Sequence, residues 1–270
     1  MTATAPQPMS KKRIVYSVPE MSDVAITRDR RYTGTDSEPL TMDLYHPPRT
    51  SAERLPAVLF ATGFADPGAR QMLGCTFKEM SAFVSWAELV AASGLVAVTY
   101  ENRDPARDAR SALDFIRQNA ASLGVDEKRV AVWSCSAHVA TALSLLMQTT
   151  PDPHPACAVL LYGYMLDDDG KTGVGDAAAR LRFATPCAGR SVADLARDIP
   201  MFIVRAGRDE MPGLNASIDD FVGKAVPANL PLTFVNYPDA PHAFDLTYDT
   251  PTSRNVIKQV VRFLQSNLVR

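Results

Sequence analysis

Short runs of apolar and β-branched residues recur along the chain from Leu55 onward, and amphipathic stretches separate them. Most of these runs are continuously apolar, which is typical of strands that are buried on both faces. Such runs, alternating with helical stretches, predict an α/β protein with a mainly parallel sheet and helices on both of its faces. The predicted strands span residues 55–62, 95–101, 129–134, 156–162, 200–206 and 232–237.

The stretches between these strands have apolar residues at spacings of three and four, as a helix with one buried face requires. Two segments before Leu55, residues 24–30 and 40–45, alternate apolar and polar residues instead. We expect them to form an antiparallel pair at the edge of the sheet, which would then have about eight strands. The predicted helices span residues 77–93, 105–122, 137–148, 213–225 and 251–269.

We expect a single domain over residues 23–270, preceded by an N-terminal extension at residues 1–22. Residues 165–198 separate two predicted strands, and a connection of this length is typical of a lid or an insertion, so we expect a small cap. This segment contains an acidic run, Asp167 to Asp169, followed by Gly170. The calcium-loop spacing is absent, so we expect a solvated turn and no metal site.

Composition narrows the classes of function. The formal net charge of the 270 residues is −2, which gives no overall positive field that would attract nucleic acid. No stretch approaches the roughly 18 consecutive apolar residues of a membrane span. The first 13 residues are polar and have no apolar segment behind their charges, which argues against a secretion signal and favours a cytoplasmic protein. The four cysteines lack the C-x-x-C spacing of many zinc and redox sites.

The clearest chemical pattern lies in residues 129–143, where a buried strand runs through small residues directly into a predicted helix. A serine at such a junction is typical of a nucleophile elbow, a strained turn that exposes the hydroxyl beside a helix N-terminus. Centred on Ser136, the pattern reads Ser-Cys-Ser-Ala-His. Cys135 is the competing nucleophile, but it would put Trp133 where the elbow needs a small residue, so we favour Ser136.

Partners for this serine occur later in the chain, each directly after a predicted strand: first Asp209, then His242. The carboxyl ends of parallel strands share one crevice, so these residues can meet Ser136 there. His242 would accept the serine proton, and Asp209 would orient the imidazole and stabilise its charged form. Glu210 is a competing acid, and His138 is a competing base that we expect to be structural.

On these residues the chain resembles the α/β-hydrolase fold family, and within it the dienelactone-hydrolase-like and esterase/lipase-like members. The resemblance covers residues 40–270 and rests on the Ser136 elbow, the loops that carry Asp209 and His242, and the Thr62-Gly63-Phe64 loop. The chain departs from the family pattern at His138, where the elbow usually has glycine.

The resemblance implies hydrolysis of esters and related acyl compounds without a metal or an organic cofactor. It places the oxyanion hole at the backbone N–H groups of Phe64 and Ala137, and it implies a homodimer formed through the last strand or helix.

Candidates for the substrate pocket are Gly63, Cys135, Glu101, Met165 and Phe244. The apolar members and the modest cap favour a small ester with a short acyl group. The same triad could serve lactone opening, peptide cleavage or acyl transfer, because a fold does not decide its reaction. The irregular elbow motivates one further alternative, a non-catalytic binding protein.

Overall fold

A computed structural model describes residues 7–32, 39–49, 54–148 and 153–269, and within them an eight-stranded sheet forms the centre of the protein. The strands, in chain order, are β1 (Ala25–Tyr32), β2 (Leu40–His46), β3 (Leu55–Phe60), β4 (Val96–Tyr100), β5 (Val125–Cys135), β6 (Ala158–Leu161), β7 (Met201–Ala206) and β8 (Leu232–Tyr237). They lie side by side in the order β1-β2-β4-β3-β5-β6-β7-β8. Strands β3 to β8 are parallel, and β2 is antiparallel to β1 and β4. The predicted α/β architecture, with its antiparallel edge pair, is confirmed.

Helices connect the strands and cover both faces of the sheet. In the described part of the chain they are α1 (Asp66–Leu73), α2 (Ser81–Ala92), α3 (Pro105–Gln118), α4 (Ala120–Leu123), α5 (Val139–Ser144), α6 (Val174–Leu181), α7 (Leu214–Ala225), α8 (Phe244–Thr247) and α9 (Pro251–Leu268). Successive residues of β5 point to opposite faces: Val132 packs in the cluster that contains Leu143, and Trp133 packs in the cluster that contains Trp86 and Leu264.

Local hydrogen bonds move two helix boundaries away from their predicted positions. Helix α2 begins at Ser81 rather than at residue 77, because the Glu79 carboxylate accepts bonds from the N–H and hydroxyl of Thr76 and holds a turn there. The predicted helix 137–148 is a 3₁₀ turn at Ser136–His138 followed by the short α5. Beyond α5 the backbone leaves the helix to form a β-bridge between Met147 and Leu195.

The N-terminal extension packs on the protein through buried apolar side chains and backbone hydrogen bonds. Ile14 is buried, and its N–H donates to Ser85 Oγ on α2 at 3.1 Å. The next N–H, of Val15, donates to the backbone oxygen of Asp245 at 2.8 Å. This segment therefore contacts the loop that follows β8.

The long connection between β6 and β7 lies against α5 and the loop after β3. It carries α6, whose buried face includes Val174 and Ala177, and a 3₁₀ turn at Val192–Asp194. Its Ala184 N–H donates to the oxygen of Gly63 at 2.8 Å. The segment that we predicted as a cap thus touches the loop predicted to hold the oxyanion.

Two glycine-to-alanine substitutions should change stability in opposite directions. A Cβ at Gly163, just after β6, would overlap the Val139 side chain, so we expect Gly163→Ala to lower the free energy of unfolding by about 1–3 kcal/mol. A Cβ at Gly223, inside α7, would meet nothing within 4 Å, so Gly223→Ala should raise it by about 0.5–1 kcal/mol. Urea unfolding measures both values. Equal effects of the two substitutions would contradict the packing described around Gly163.

Candidate active site

Ser136 lies at a sharp junction between a strand and a helix. It directly follows β5, begins a 3₁₀ turn that leads into α5, and has a φ of 53°. A residue other than glycine rarely adopts this left-handed conformation, because its Cβ crowds the backbone. Strained backbone of this kind is typical of the nucleophile elbow, where it makes the serine hydroxyl protrude above the sheet.

The three residues predicted to act together are hydrogen-bonded in series. Ser136 Oγ lies 3.0 Å from His242 Nε2, and His242 Nδ1 lies 2.6 Å from Asp209 Oδ2. Asp209 follows β7 and its side chain is fully buried, whereas His242 follows β8 and its side chain is 28% exposed. A carboxylate only accepts hydrogen bonds, so Nδ1 carries the proton and Nε2 is free to accept the serine proton.

The second oxygen of Asp209 fixes the carboxylate in place. Oδ1 accepts the Met211 N–H at 2.9 Å, which leaves Oδ2 directed at the imidazole. The competing acid, Glu210, is exposed, and the carboxylate that reaches His242 is that of Asp209.

Cys135 is less suited to act as a nucleophile than its neighbour. Burial and the nearby Asp245 carboxylate raise the pKa of its thiol well above the ordinary value, which disfavours the reactive thiolate. His242 bonds to the hydroxyl of Ser136. The geometry and the electrostatics therefore favour Ser136 over Cys135.

The loop predicted to form the oxyanion hole lies against the elbow. A Cβ placed on Gly63 would be 2.9 Å from the oxygen of Ala137 and 2.9 Å from the Cα of His138, so only glycine fits there. In the described part of the chain, the N–H groups of Phe64 and Ala137 donate to no protein acceptor. Both groups are therefore available to a ligand.

Asn102 braces the same loop from the end of β4. Its side-chain amide donates to Thr62 Oγ1 at 2.9 Å and to the backbone oxygen of Phe64 at 3.0 Å. Glu101, the preceding residue, is one of the predicted pocket candidates. The Glu101 carboxylate accepts hydrogen bonds from Thr41 and Arg70, towards the edge of the sheet.

His138 is buried and hydrogen-bonded within the protein. Its Nδ1 accepts the N–H of Gly63 at 2.8 Å, and the ring packs edge-on against Phe64, Phe77 and Phe83 at centroid distances of 5.2, 4.5 and 5.4 Å. Burial lowers the pKa of this imidazole from 6.5 to about 3, so the ring is neutral at the pH of most assays.

The remaining pocket candidates have different positions. Met165 lines a cavity of about 340 Å³, together with Leu143 on α5 and Leu166, Val174 and Cys187 of the predicted cap. Phe244 is not among the residues that line this cavity, and its side chain is fully buried against Tyr162 and Tyr237. An aromatic side chain directly after the histidine loop is core here.

A buried hydrogen-bond network behind His242 was not predicted from the sequence. The Asp245 carboxylate accepts hydrogen bonds from Trp86 Nε1 at 2.7 Å and from the Tyr162 hydroxyl at 2.6 Å, and burial raises the pKa of this carboxyl group. The Tyr162 ring lies edge-on to His242, with 5.2 Å between centroids. Only the position of Asp245, three residues after His242, could have indicated this contact.

The acidic turn in the predicted cap has protein partners. Asp167 accepts the N–H groups of Thr172 and Val174, while Asp168 pairs with Lys224 and Asp169 with Lys171. In the described residues, no cluster of histidine, cysteine and acidic side chains has the form of a metal site. None of the helices in those residues is both long enough and apolar enough to cross a membrane.

No family model and no curated protein matches the chain. Solved structures do match it. An esterase from the Planctomycetes species Thermogutta terrifontis is 22% identical over 93% of this chain and 98% of that chain, with a TM-score of 0.69. An alpha/beta hydrolase enzyme from the metagenome of Lake Arreo is 20% identical over 92% and 86%, with a TM-score of 0.67. Esterase LipW from Mycobacterium marinum is 18% identical over 92% and 83%, with a TM-score of 0.69.

These matches span nearly the whole of this chain. The chain has the α/β-hydrolase fold. In an α/β-hydrolase fold the ligand crevice lies beyond the carboxyl ends of the strands, and the residues after β5, β7 and β8 are those that the structure brings together. None of the three structures is named a dienelactone hydrolase, so that branch stays a prediction.

Because the His138 imidazole is buried in its neutral form, the stability of the protein should depend on pH. The unfolded chain protonates this histidine near pH 6.5, but the folded protein does so only near pH 3, so stability falls as the pH drops between these values. Between pH 7 and 4.5, this group should remove about 3 kcal/mol from the free energy of unfolding. His138→Asn should lack that loss, which urea unfolding at the two pH values measures. Parallel pH dependence in the two proteins would contradict the neutral burial.

Proposed function

We propose that the protein is a serine carboxylesterase that acts through an acyl-enzyme. The observation that carries this proposal is the series Ser136–His242–Asp209, with 3.0 and 2.6 Å between the bonded atoms, at a serine whose backbone is left-handed. An unactivated hydroxyl is a weak nucleophile, and a neighbouring base that is oriented by a buried carboxylate supplies the activation. The esterase names of the matching structures support the same reaction class.

In the first half-reaction, Ser136 Oγ attacks the ester carbonyl carbon while His242 Nε2 takes the hydroxyl proton. The carbonyl oxygen becomes an oxyanion, which the N–H groups of Phe64 and Ala137 stabilise. The Asp209 carboxylate stabilises the imidazolium across its 2.6 Å hydrogen bond. The tetrahedral intermediate then collapses, His242 gives its proton to the leaving alcohol, and the acyl group stays on Ser136.

In the second half-reaction, water takes the place of the alcohol. His242 removes a proton from the water as it attacks the acyl carbon, and a second tetrahedral intermediate forms. His242 then returns the proton to Ser136 Oγ, which releases the carboxylic acid. In the proposed mechanism, residues of this chain and a water molecule carry out every step, and no cofactor takes part.

The 340 Å³ cavity favours a small ester. It lies beside the elbow: its wall includes Ala140, one helical turn after Ser136, and Met165, whose neighbour Tyr164 donates its N–H to the Ser136 oxygen at 3.3 Å. This volume is near the lower end of the roughly 300–1,000 Å³ of ligand pockets. We expect acetate or butyrate esters to be preferred, and equal turnover of laurate esters would contradict this size limit.

Substitutions at two adjacent residues test the nucleophile. With p-nitrophenyl acetate, Ser136→Ala should lower kcat by several orders of magnitude, because it removes the attacking atom. Cys135→Ala should stay within a few-fold of the wild-type rate. A serine-reactive phosphonate should add its mass to the wild type and to Cys135→Ala, but not to Ser136→Ala. Loss of turnover only in Cys135→Ala would identify a thiol hydrolase, and a wild type that neither turns over nor labels would favour a binding protein.

A pair of adjacent acidic residues tests the third member of the triad. Asp209→Asn should lower kcat by about 10⁴, because the amide stabilises the wrong imidazole tautomer and does not stabilise the imidazolium. Glu210→Gln is the matched control, since this side chain is exposed, and it should leave kcat unchanged. Steady-state rates with p-nitrophenyl acetate measure both. Equal losses in the two variants would remove Asp209 from the proposed role.

A further inference from the structure

The backbone loop that follows β3 has its orientation set by the elbow itself. The Gly63 N–H is buried and needs an acceptor, and it finds one in Nδ1 of His138 at 2.8 Å. The imidazole comes from the elbow position that usually carries glycine. His138 therefore connects the nucleophile turn directly to the loop that holds Phe64.

The next peptide unit, between Gly63 and Phe64, makes a hydrogen bond of its own. Its carbonyl oxygen, on Gly63, accepts the N–H of Ala184 at 2.8 Å. A trans peptide points its C=O and N–H in opposite directions, so this bond turns the Phe64 N–H away from Ala184. With the preceding N–H held by His138, the peptide plane has little freedom to rotate.

The surroundings of His138 keep it in the accepting form. Three phenylalanine rings enclose the imidazole, and the nearest, Phe77, is 4.5 Å away between centroids. Burial lowers the pKa of the ring to about 3, so the imidazole is neutral and carries one proton at neutral pH. Because Nδ1 accepts the Gly63 N–H, that proton is on Nε2. The acceptor is thus present at neutral pH.

We propose that His138 is a positioning residue of the oxyanion hole: its Nδ1 holds the Gly63 peptide so that the Phe64 N–H is directed at the developing oxyanion. This inference rests on the proposed function. A donor in an oxyanion hole acts mainly in the transition state, and removal of one costs about 10²–10³ in kcat. Loss of the His138 acceptor misdirects a donor rather than removing it, so we expect a loss of about 10–100-fold in kcat with little change in KM.

Two substitutions separate the acceptor from the bulk of the side chain. His138→Asn keeps an acceptor near the position of Nδ1, because the asparagine oxygen is the same number of bonds from Cα. His138→Leu keeps apolar volume but has no acceptor. With p-nitrophenyl acetate, the Leu variant should lose about 10–100-fold in kcat at a similar KM, and the Asn variant should recover most of the rate. Affinity for a trifluoromethyl ketone, which mimics the tetrahedral state, should fall in parallel with kcat in the Leu variant.

Hydrogen exchange gives a readout that does not need activity. The Gly63 amide should exchange slowly in the wild type and in His138→Asn, and at least tenfold faster in His138→Leu. Wild-type exchange and kcat in a folded Leu variant would overturn the inference, and so would equal losses in the Leu and Asn variants. Absence of wild-type turnover, with the exchange pattern as expected, would instead count against the proposed esterase function alone.

Discussion

The left-handed backbone of Ser136 is the constraint on which the site depends. A φ of 53° costs free energy for any residue with a Cβ, on the order of 1–2 kcal/mol, so the surrounding chain has to enforce it. Two glycines make this enforcement feasible. Gly163 leaves room for Val139 at the start of α5, and Gly63 lets a second backbone approach Ala137. The segments that follow β3 and β6 therefore both pack closely against the elbow. Each makes its closest approach at a glycine, Gly63 or Gly163.

Strain at this site extends beyond the serine. Tyr162 and Ala243, which lie next to His242 in space or in sequence, also have positive φ, at 34° and 52°. Contacts with neighbouring residues have to hold each of these residues in its strained backbone conformation. The Tyr162 hydroxyl is held by the buried Asp245, and Asp245 is held by Trp86. The network behind His242 thus holds Tyr162, whose ring packs edge-on against the His242 imidazole.

Local pattern was enough to predict most of the strands and the meeting of Ser136, Asp209 and His242, but not the contacts that hold the site together. Strands such as β7 are continuous apolar runs, and Asp209 and His242 each follow a strand end, so short windows of sequence contain the signal. Trp86 and Asp245 are 159 residues apart, and no window contains both. The contacts of Glu101 and Phe244 are likewise set by the packing of distant segments. The acceptor role of His138 could not be predicted either, since it depends on how closely Gly63 approaches.

The segment predicted as a cap contacts both the cavity and the loop after β3. Leu166, Val174 and Cys187 contribute walls of the cavity, and Ala184 of the same segment donates to the peptide oxygen of Gly63. A displacement of this segment would move the cavity wall and would also release one end of the peptide that carries the Phe64 N–H. One stretch of chain thus supplies part of the cavity wall and one hydrogen bond to the Gly63–Phe64 peptide. In the proposed mechanism, a substrate that fits the cavity poorly loses transition-state stabilisation as well as binding.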